Sequence, residues 1–220
     1  MTGRTRWHLL LWLAVFAWLA GCATASRHDY SAFRFRLPRS ILVMPPINDS
    51  TDVNAPYIFL STITRPLADQ GYYVFPVAMV DAFMKENGLP SGYEMQNISL
   101  KKIREVFGAD SVLYVRIVDW GQKYLLLSSN TVVKIQARLV DVETGQVLWN
   151  GAQSAVEGSG GGGNLIGMAI AAVVDQIIDT LNDRTYELSR RANYSMIDNR
   201  DSGFLVGPYN PGFNKDPRGR

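Results

Sequence analysis

Cys22 stands where its thiol could act as a nucleophile toward lipid, and the sequence contains no other cysteine. Together with the three residues before it, Leu19, Ala20 and Gly21, it forms the lipobox that lipoprotein-processing enzymes recognise. The small Ala20 and Gly21 let the backbone enter a peptidase site, and the Cys22 thiol can take up a diacylglyceryl group. We therefore expect cleavage before Cys22 and anchoring of the chain by lipid, palmitate included, on that cysteine.

The residues upstream of the lipobox have the layout of a secretory signal peptide. Arg4 and Arg6 form a short positive segment, and every residue from Leu9 to Ala20 is apolar. This run is shorter than the roughly 20 residues that a membrane-spanning helix needs. Residues 1–21 are predicted to be a signal peptide that is removed. The alternative is an ordinary signal peptide followed by a chance cysteine.

The charge of the mature chain argues against nucleic acid as a partner. Loss of the two signal arginines leaves 20 basic and 20 acidic side chains. A neutral body has no global electrostatic attraction for a phosphate backbone. Nucleic acid is therefore set aside.

Few residues of the mature chain could carry catalysis or bind a metal. The two histidines are His8, in the signal peptide, and His28, in a predicted tether, so the predicted domain has no His or Cys. Nucleophilic triads and the usual zinc and haem ligands are thereby excluded. Carboxylates such as Asp49 and Asp52 leave a hydrolase as a minor alternative. We predict no enzyme, no catalytic residue, no metal and no cofactor.

A second minor alternative is a calcium site in the polar loop 47–54. Its oxygen-bearing side chains alternate as in a calcium loop, but the glycine and the distal glutamate are missing. Turn chemistry, with Asn54 capping the following helix, explains the same residues.

The chain divides into three parts after the signal peptide. Residues 22–39 are predicted to be a lipidated N-terminus and tether, because they show no clear period. Residues 40–194 are predicted to be one α/β domain, which is an ordinary size for a single core. Residues 195–220 are rich in Gly, Pro, Asn and Asp and are predicted to be disordered.

The first half of the domain alternates strands with helices, which favours an α/β layer with a parallel component. The strand predictions are 40–44 and 72–77, and the helix predictions are 55–70, 78–87 and 99–107. Ser99 is the expected cap of the third helix and Gly108 its expected stop. Pro66 should kink or shorten the first.

The second half is predicted to be an antiparallel meander of strands 111–127, 130–142 and 147–156. Leu113, Val115 and Ile117 alternate with more polar residues, so one face should be core and the other partly wet. The fold class expected is α/β, with a mixed sheet of about five strands packed by helices.

A candidate contact site lies at the tip of the first hairpin. An exposed apolar cluster marks a site of contact with a partner or membrane, and a long hairpin tip rarely buries three leucines by itself. Burial under the N-terminal arm or last helix remains the alternative. With the wet face of the sheet, the candidate residues are Tyr124, Leu125, Leu126, Leu127, Tyr114, Arg116, Trp120 and Arg138.

The glycine run 158–163 precedes a predicted last helix that begins near Asn164 and ends near Ala192. The run lacks the Gly-Lys-Ser/Thr end of a phosphate-binding loop, so a hinge is favoured over nucleotide binding. Small residues at 167–172 favour ordinary packing of this helix on the sheet, with self-association as the alternative.

Several sequence blocks together resemble a family of uncharacterised Gram-negative lipoproteins known from a neisserial surface antigen. The blocks are Ile41–Asn48, Gly71–Val77, Phe107–Asp110 and Leu139–Trp149, and the resemblance covers about residues 22–192. More distantly, they resemble the curli secretion lipoprotein CsgG, the TolB N-terminal domain and the activator lipoproteins of penicillin-binding proteins. That likeness implies a mixed sheet with helices on one side and no catalytic residues. The hairpin around 125–131 is too short for the barrel strands of the curli channel.

The resemblance also implies where the protein works and with what. Ala23, rather than Asp, after the cysteine implies the outer membrane, facing the periplasm, although a lipid-anchored domain can also be moved to the cell surface. We expect a non-catalytic, protein-binding component of an envelope secretion or assembly complex, with a CsgG-like lipoprotein or further copies of itself as partners. The alternative is a regulator of peptidoglycan synthesis.

Overall fold

A mixed β-sheet of six strands organises the domain. The computed structural model describes residues 28–125, 128–158 and 174–219. The strands are β1 Ser40–Val43, β2 Ile47–Asn48, β3 Tyr73–Val74, β4 Ser111–Leu125, β5 Ser128–Asp141 and β6 Val147–Gly158. Their order is β3-β1-β4-β5-β6, and β2 also pairs with β4. The predicted combination of a parallel N-terminal part and an antiparallel meander is confirmed.

The helices connect and cover the strands. They are α1 Ser31–Arg36, α2 Ala55–Asp69, α3 Val77–Glu86, α4 Gly92–Gln96, α5 Leu100–Phe107 and α6 Val174–Ile197. Short 3₁₀ turns follow at Phe213–Lys215 and Pro217–Gly219. Ser99 accepts a hydrogen bond from the Lys102 N–H, and Gly108 ends α5 in the left-handed conformation, as predicted.

Two details of α2 differ from the sequence-based expectation. The helix continues past Pro66 to Asp69 without being shortened. Asn54 occupies the N-cap position, but its side chain makes no capping hydrogen bond there. Pro56 lies in the first turn, where a missing N–H breaks no hydrogen bond within the helix.

Helices pack on both faces of the sheet, so the expectation of helices on one side is wrong. One core contains Phe33 of α1, Ile63 of α2 and Leu188 of α6. The other contains Met84 of α3 and Ile103 of α5, together with Met95 of α4. The cause is visible in β1, where the three consecutive residues Ile41, Leu42 and Val43 are apolar and buried. A strand that is covered on both faces has no polar side.

Trp120 lies on the core face of the sheet and not on the wet face where strict alternation from Tyr114 would place it. The pairing of β4 with β5 shifts register between Ile117 and Asp119, which leaves Val118 as an extra residue in β4. A β-bulge of this kind moves every later side chain to the opposite face. Trp120 is therefore only 1% exposed, within the core cluster that also contains Val115.

The N-terminal segment from residue 28 onward is part of the fold, so the predicted tether does not extend to residue 39. Phe33 is fully buried and Tyr30 nearly so. Burial raises the pKa of the Tyr30 hydroxyl, which donates a hydrogen bond of 2.6 Å to the Gly203 carbonyl. The folded domain therefore begins about ten residues earlier than the sequence indicated.

The C-terminal segment, residues 198–219, packs on the domain, and the prediction of disorder for 195–220 is wrong for the described part. Phe204 and Leu205 are buried at 0% and 1% exposure. The Tyr72 hydroxyl donates to the Leu205 carbonyl at 2.7 Å, and the Trp149 indole N–H donates to the Ser202 carbonyl at the same distance. Aromatic burial outweighs a composition that is otherwise typical of loops.

Asp216 holds the end of this segment in place. Its carboxylate accepts hydrogen bonds from the backbone N–H groups of Val206, at 3.0 Å, and Arg218, at 2.9 Å. It also forms an ion pair with the Arg218 guanidinium at 3.1 Å. Burial alone would raise the pKa of Asp216, but these donors outweigh burial and lower it.

Candidate protein-binding groove

The second face of the sheet is covered by helices at one end and open at the other. Helices α3, α4 and α5 cover Val112, Tyr114 and Val140, whereas the side chains farther along β4, β5 and β6 are exposed. The open part forms a concavity of about 530 Å³, which we call the sheet-face groove. Its lining includes Ile47, Gln96, Tyr114, Arg116, Gln136, Arg138, Asn150 and Ala152.

Strand register arranges this face of the sheet in three cross-strand rows, of which the first two line the groove. The first row is Tyr114, Arg138 and Asn150; the second is Arg116, Gln136 and Ala152. Asp119, Lys134 and Ser154 form the third, beyond the bulge. Residues in one row lie within contact distance across the strands. This face therefore presents mostly polar side chains in regular rows on paired β-strands.

Tyr114 and Arg138 contact each other in the first row. The Arg138 guanidinium carbon lies 5.0 Å from the centre of the Tyr114 ring, a cation–π geometry. Tyr114 is nearly buried, so its predicted place on a wet face is only partly right. Burial raises the pKa of the Tyr114 hydroxyl, and the positive charge of Arg138 opposes that rise.

Arg116 is held by a carboxylate, whereas Arg138 in the groove and Lys134 in the row beyond it are not. Arg116 makes a bidentate pair with Asp49, with N–O distances of 2.6 and 2.9 Å. Lys134 and Arg138 are exposed and form no ion pair within the described part of the chain. Uncompensated positive charge on a rigid surface favours an acidic or carbonyl-rich partner segment.

Strand β6 borders the groove and is also an edge of the sheet. It pairs with β5 on one side only. Glu157 is its one charged residue, and its sequence contains no proline. Natural proteins usually protect so long an edge with lysine, proline or a covering element. An edge strand that lacks lysine and proline can serve as a template to which an extended peptide adds as a further strand.

Carboxylates do not assemble into a metal-binding cluster in the described residues. Asp49 is engaged by Arg116, and Asp52 accepts a hydrogen bond of 2.8 Å from the Asn54 backbone N–H. Asn48 accepts from the Ser50 backbone N–H and hydroxyl. Turn-forming hydrogen bonds therefore account for the oxygens that resembled a calcium loop. Burial lowers the pKa of His28, the one histidine described.

The family-like blocks have structural roles. Asp110 accepts hydrogen bonds from the backbone N–H groups of Arg39 and Ser40, both at 2.9 Å, and so ties β1 to β4. Asp141 accepts from the Thr144 N–H at 2.8 Å, closing the turn in which Gly145 has a positive φ of 74°. Asp110 and Asp141 therefore build the sheet and lie outside the groove, whereas Ile47 of the first block lines it.

Part of the predicted site lies outside the described residues. Cys22, the lipobox, Leu126 and Leu127 all fall there, as does the glycine run from residue 159. Tyr124 and Leu125 end β4, and their backbones pair with Ser129 and Ser128. Sequence reasoning did not single out Gln96 or Asn150, because a helix and a strand distant in sequence bring them to the groove.

Comparison with known proteins places this chain in a family. The model described as "Putative lipoprotein GNA1162-like" matches residues 28–209. A Neisseria meningitidis protein named "Putative lipoprotein NMB1124/NMB1162" is 40% identical over 204 residues, which cover 91% of this chain and 95% of that protein. The chain belongs to the GNA1162-like family. The resemblance identified from the sequence blocks is thereby confirmed.

A solved structure of a neisserial lipoprotein agrees with the GNA1162-like assignment. The crystal structure of lipoprotein GNA1162 from N. meningitidis is 42% identical and has a TM-score of 0.53, covering 64% of this chain and 99% of that one. The LpoB C-terminal domain from Escherichia coli is similar at 19% identity and a TM-score of 0.37, covering 54% of this chain and 83% of that one.

No helix in the described ranges is both long and apolar enough to span a bilayer.

Proposed function

We propose that this GNA1162-like chain is a lipoprotein held on the outer membrane by lipid on Cys22. In the periplasm it acts as a non-catalytic, protein-binding component of an envelope secretion or assembly complex. The lipobox Leu19-Ala20-Gly21-Cys22 supports the anchor, and Ala23 supports the choice of membrane. The observation that carries the binding role is the cationic sheet-face groove beside an edge strand, β6, that contains neither lysine nor proline.

The groove and the edge together define the partner's chemistry. An extended segment that pairs with β6 would run beside Asn150, Ala152 and Ser154, whose side chains are exposed. Acidic side chains on such a segment would then meet Arg138 and Lys134. Backbone hydrogen bonds would supply affinity and the two cations would supply specificity. A CsgG-like lipoprotein is the partner that the sequence resemblance favours.

The test is crosslinking of the intact lipoprotein in its own cells, followed by purification through a C-terminal tag and identification of the proteins that accompany it. We expect Lys134→Glu with Arg138→Glu to reduce partner recovery about tenfold or more, because two attractive contacts become repulsive. Lys101→Glu with Lys102→Glu is the matched control, since it reverses two exposed charges on α5, away from the groove.

A second variant separates the edge from the groove. Val156→Lys places a lysine on β6 outside the groove lining and should block strand addition. Val156 is exposed, so the fold should tolerate the change. Leu125→Asp with Leu126→Asp tests the hairpin tip and should abolish recovery if that tip also touches the partner.

The identity of what is recovered decides between the roles. A secretion or assembly component, lost in the groove variant and kept in the control, supports the proposal. A peptidoglycan synthase whose rate changes on binding would favour the regulator alternative. Recovery of the chain alone, or equal losses of partner recovery in the groove and control variants, would overturn the proposed binding role.

A further inference from the structure

The folded domain is fixed close to its lipid anchor. Tyr30 and Phe33 are buried in the core, so the chain is held from residue 30 onward. Only residues 23–29 separate Tyr30 from Cys22, and at about 3.5 Å per residue they span at most roughly 28 Å. This step rests on the proposed lipidation of Cys22. It means that the end of the domain carrying α1 stays near the bilayer.

The α1 end is opposite to the β4–β5 hairpin tip. Arg36 of α1 lies 3.8 Å from Asp141, which pairs with Ser111 at the start of β4. From that start, β4 runs for 15 residues, roughly 50 Å, to Leu125. The hairpin tip therefore lies at the end of β4 opposite to α1.

The α1 end carries an exposed aromatic residue among arginines. Phe35 is 83% exposed, the highest value of the exposed large apolar residues. Residues 27–39 contain four arginines and one aspartate. Arg36 is compensated by Asp141 and Glu143, but Arg34 and Arg39 are exposed and form no ion pair within the described ranges.

We propose that this end of the domain docks on the membrane that holds the Cys22 lipid. Phe35 inserts at the level of the lipid head groups, and Arg34 and Arg39 bind anionic head groups. An exposed aromatic ring flanked by cations fits an anionic interface, where aromatic side chains prefer to lie and basic residues are attracted. The β4–β5 hairpin then points away from the bilayer.

The single cysteine provides a direct test that does not depend on lipidation in cells. The mature chain, residues 22–220, is coupled through the Cys22 thiol to a maleimide lipid in vesicles containing phosphatidylglycerol. Phe35→Trp is the reporter, and Val156→Trp, at an exposed position on β6, is the matched control. Trp120 and Trp149 are buried, and their fluorescence is a background that is determined with the unsubstituted chain.

We expect brominated lipids to quench the Phe35→Trp signal and to leave the Val156→Trp signal unchanged. When the chain is not coupled to lipid, Arg34→Gln with Arg39→Gln should lower its partition coefficient onto the same vesicles about thirtyfold, because each lost charge accounts for roughly fivefold. Equal quenching at the two positions would overturn the orientation. A blue shift of the Phe35→Trp fluorescence without quenching would indicate that the ring contacts protein. That result would overturn the proposal that the membrane covers this end of the domain. Partitioning unchanged by the arginine substitutions would overturn the head-group contact.

Discussion

Replacing Phe204 by Ala should cost a large share of the domain's stability, although Phe204 lies in a segment whose composition resembles disorder. Its ring is fully buried. It packs edge-to-face against the rings of Phe33, Tyr72 and Trp149 at centroid distances of 5.5, 5.9 and 4.5 Å. Buried Phe→Ala changes cost about 3–5 kcal/mol, and aromatic pairs add to simple burial. We expect a loss of about 4 kcal/mol.

Urea unfolding of the mature chain, followed by tryptophan fluorescence, measures this loss. With a denaturant slope of about 2 kcal/mol/M, the midpoint should fall by roughly 2 M. Phe35→Ala is the matched control, and it should change stability by no more than about 0.5 kcal/mol because Phe35 is 83% exposed. A Phe204→Ala variant within about 1 kcal/mol of the unsubstituted chain would refute the packing of the C-terminal segment.

Three further predictions concern polar contacts. Because the folded-state pKa of Asp216 is below its ordinary value of 3.8, its stabilisation should be present above pH 3.8 and disappear as pH falls through the lower folded value. Asp216→Asn should therefore cost about 1–3 kcal/mol at pH 7 and progressively less as the pH falls below 3.8, in thermal unfolding; a cost that does not change with pH would contradict the assignment. Thr62→Val should cost about 1–3 kcal/mol in urea unfolding, since Thr62 bonds Ser189 at 2.8 Å and Asn193 at 2.9 Å in the core; a neutral effect would exclude that network. Arg116→Ala should cost under about 1 kcal/mol in the same assay, because its pair with Asp49 is solvent-exposed; a larger loss would make Arg116 a structural residue.

The elements that sequence reasoning placed correctly are those with local signals. Ser99 and Gly108 bracket α5 by capping chemistry, which depends on neighbouring residues alone. The meander follows from alternation and from the turn around Gly145. Local patterns of this kind identify an element without any knowledge of its neighbours in space.

The errors arise where distant parts of the chain decide the outcome. The bulge in β4 depends on pairing with β5, and it moved Trp120 from the predicted site into the core. Burial of Tyr30 depends on Gly203, 173 residues away. In the groove, Arg116 and Arg138 were found from alternation along single strands. Gln96 was not, because α4 reaches the sheet only through the tertiary fold.

The packing of the C-terminal segment bears on the export that the proposed lipoprotein would undergo. Phe204 completes an aromatic cluster whose other members lie at residues 33, 72 and 149, so this cluster cannot form until nearly the whole polypeptide is available. Contacts of such long sequence separation slow folding, because loop closure costs entropy before the contact forms. Under the proposed export, a chain still in transit would lack this cluster, and the domain would be completed only after its last residues had crossed the membrane.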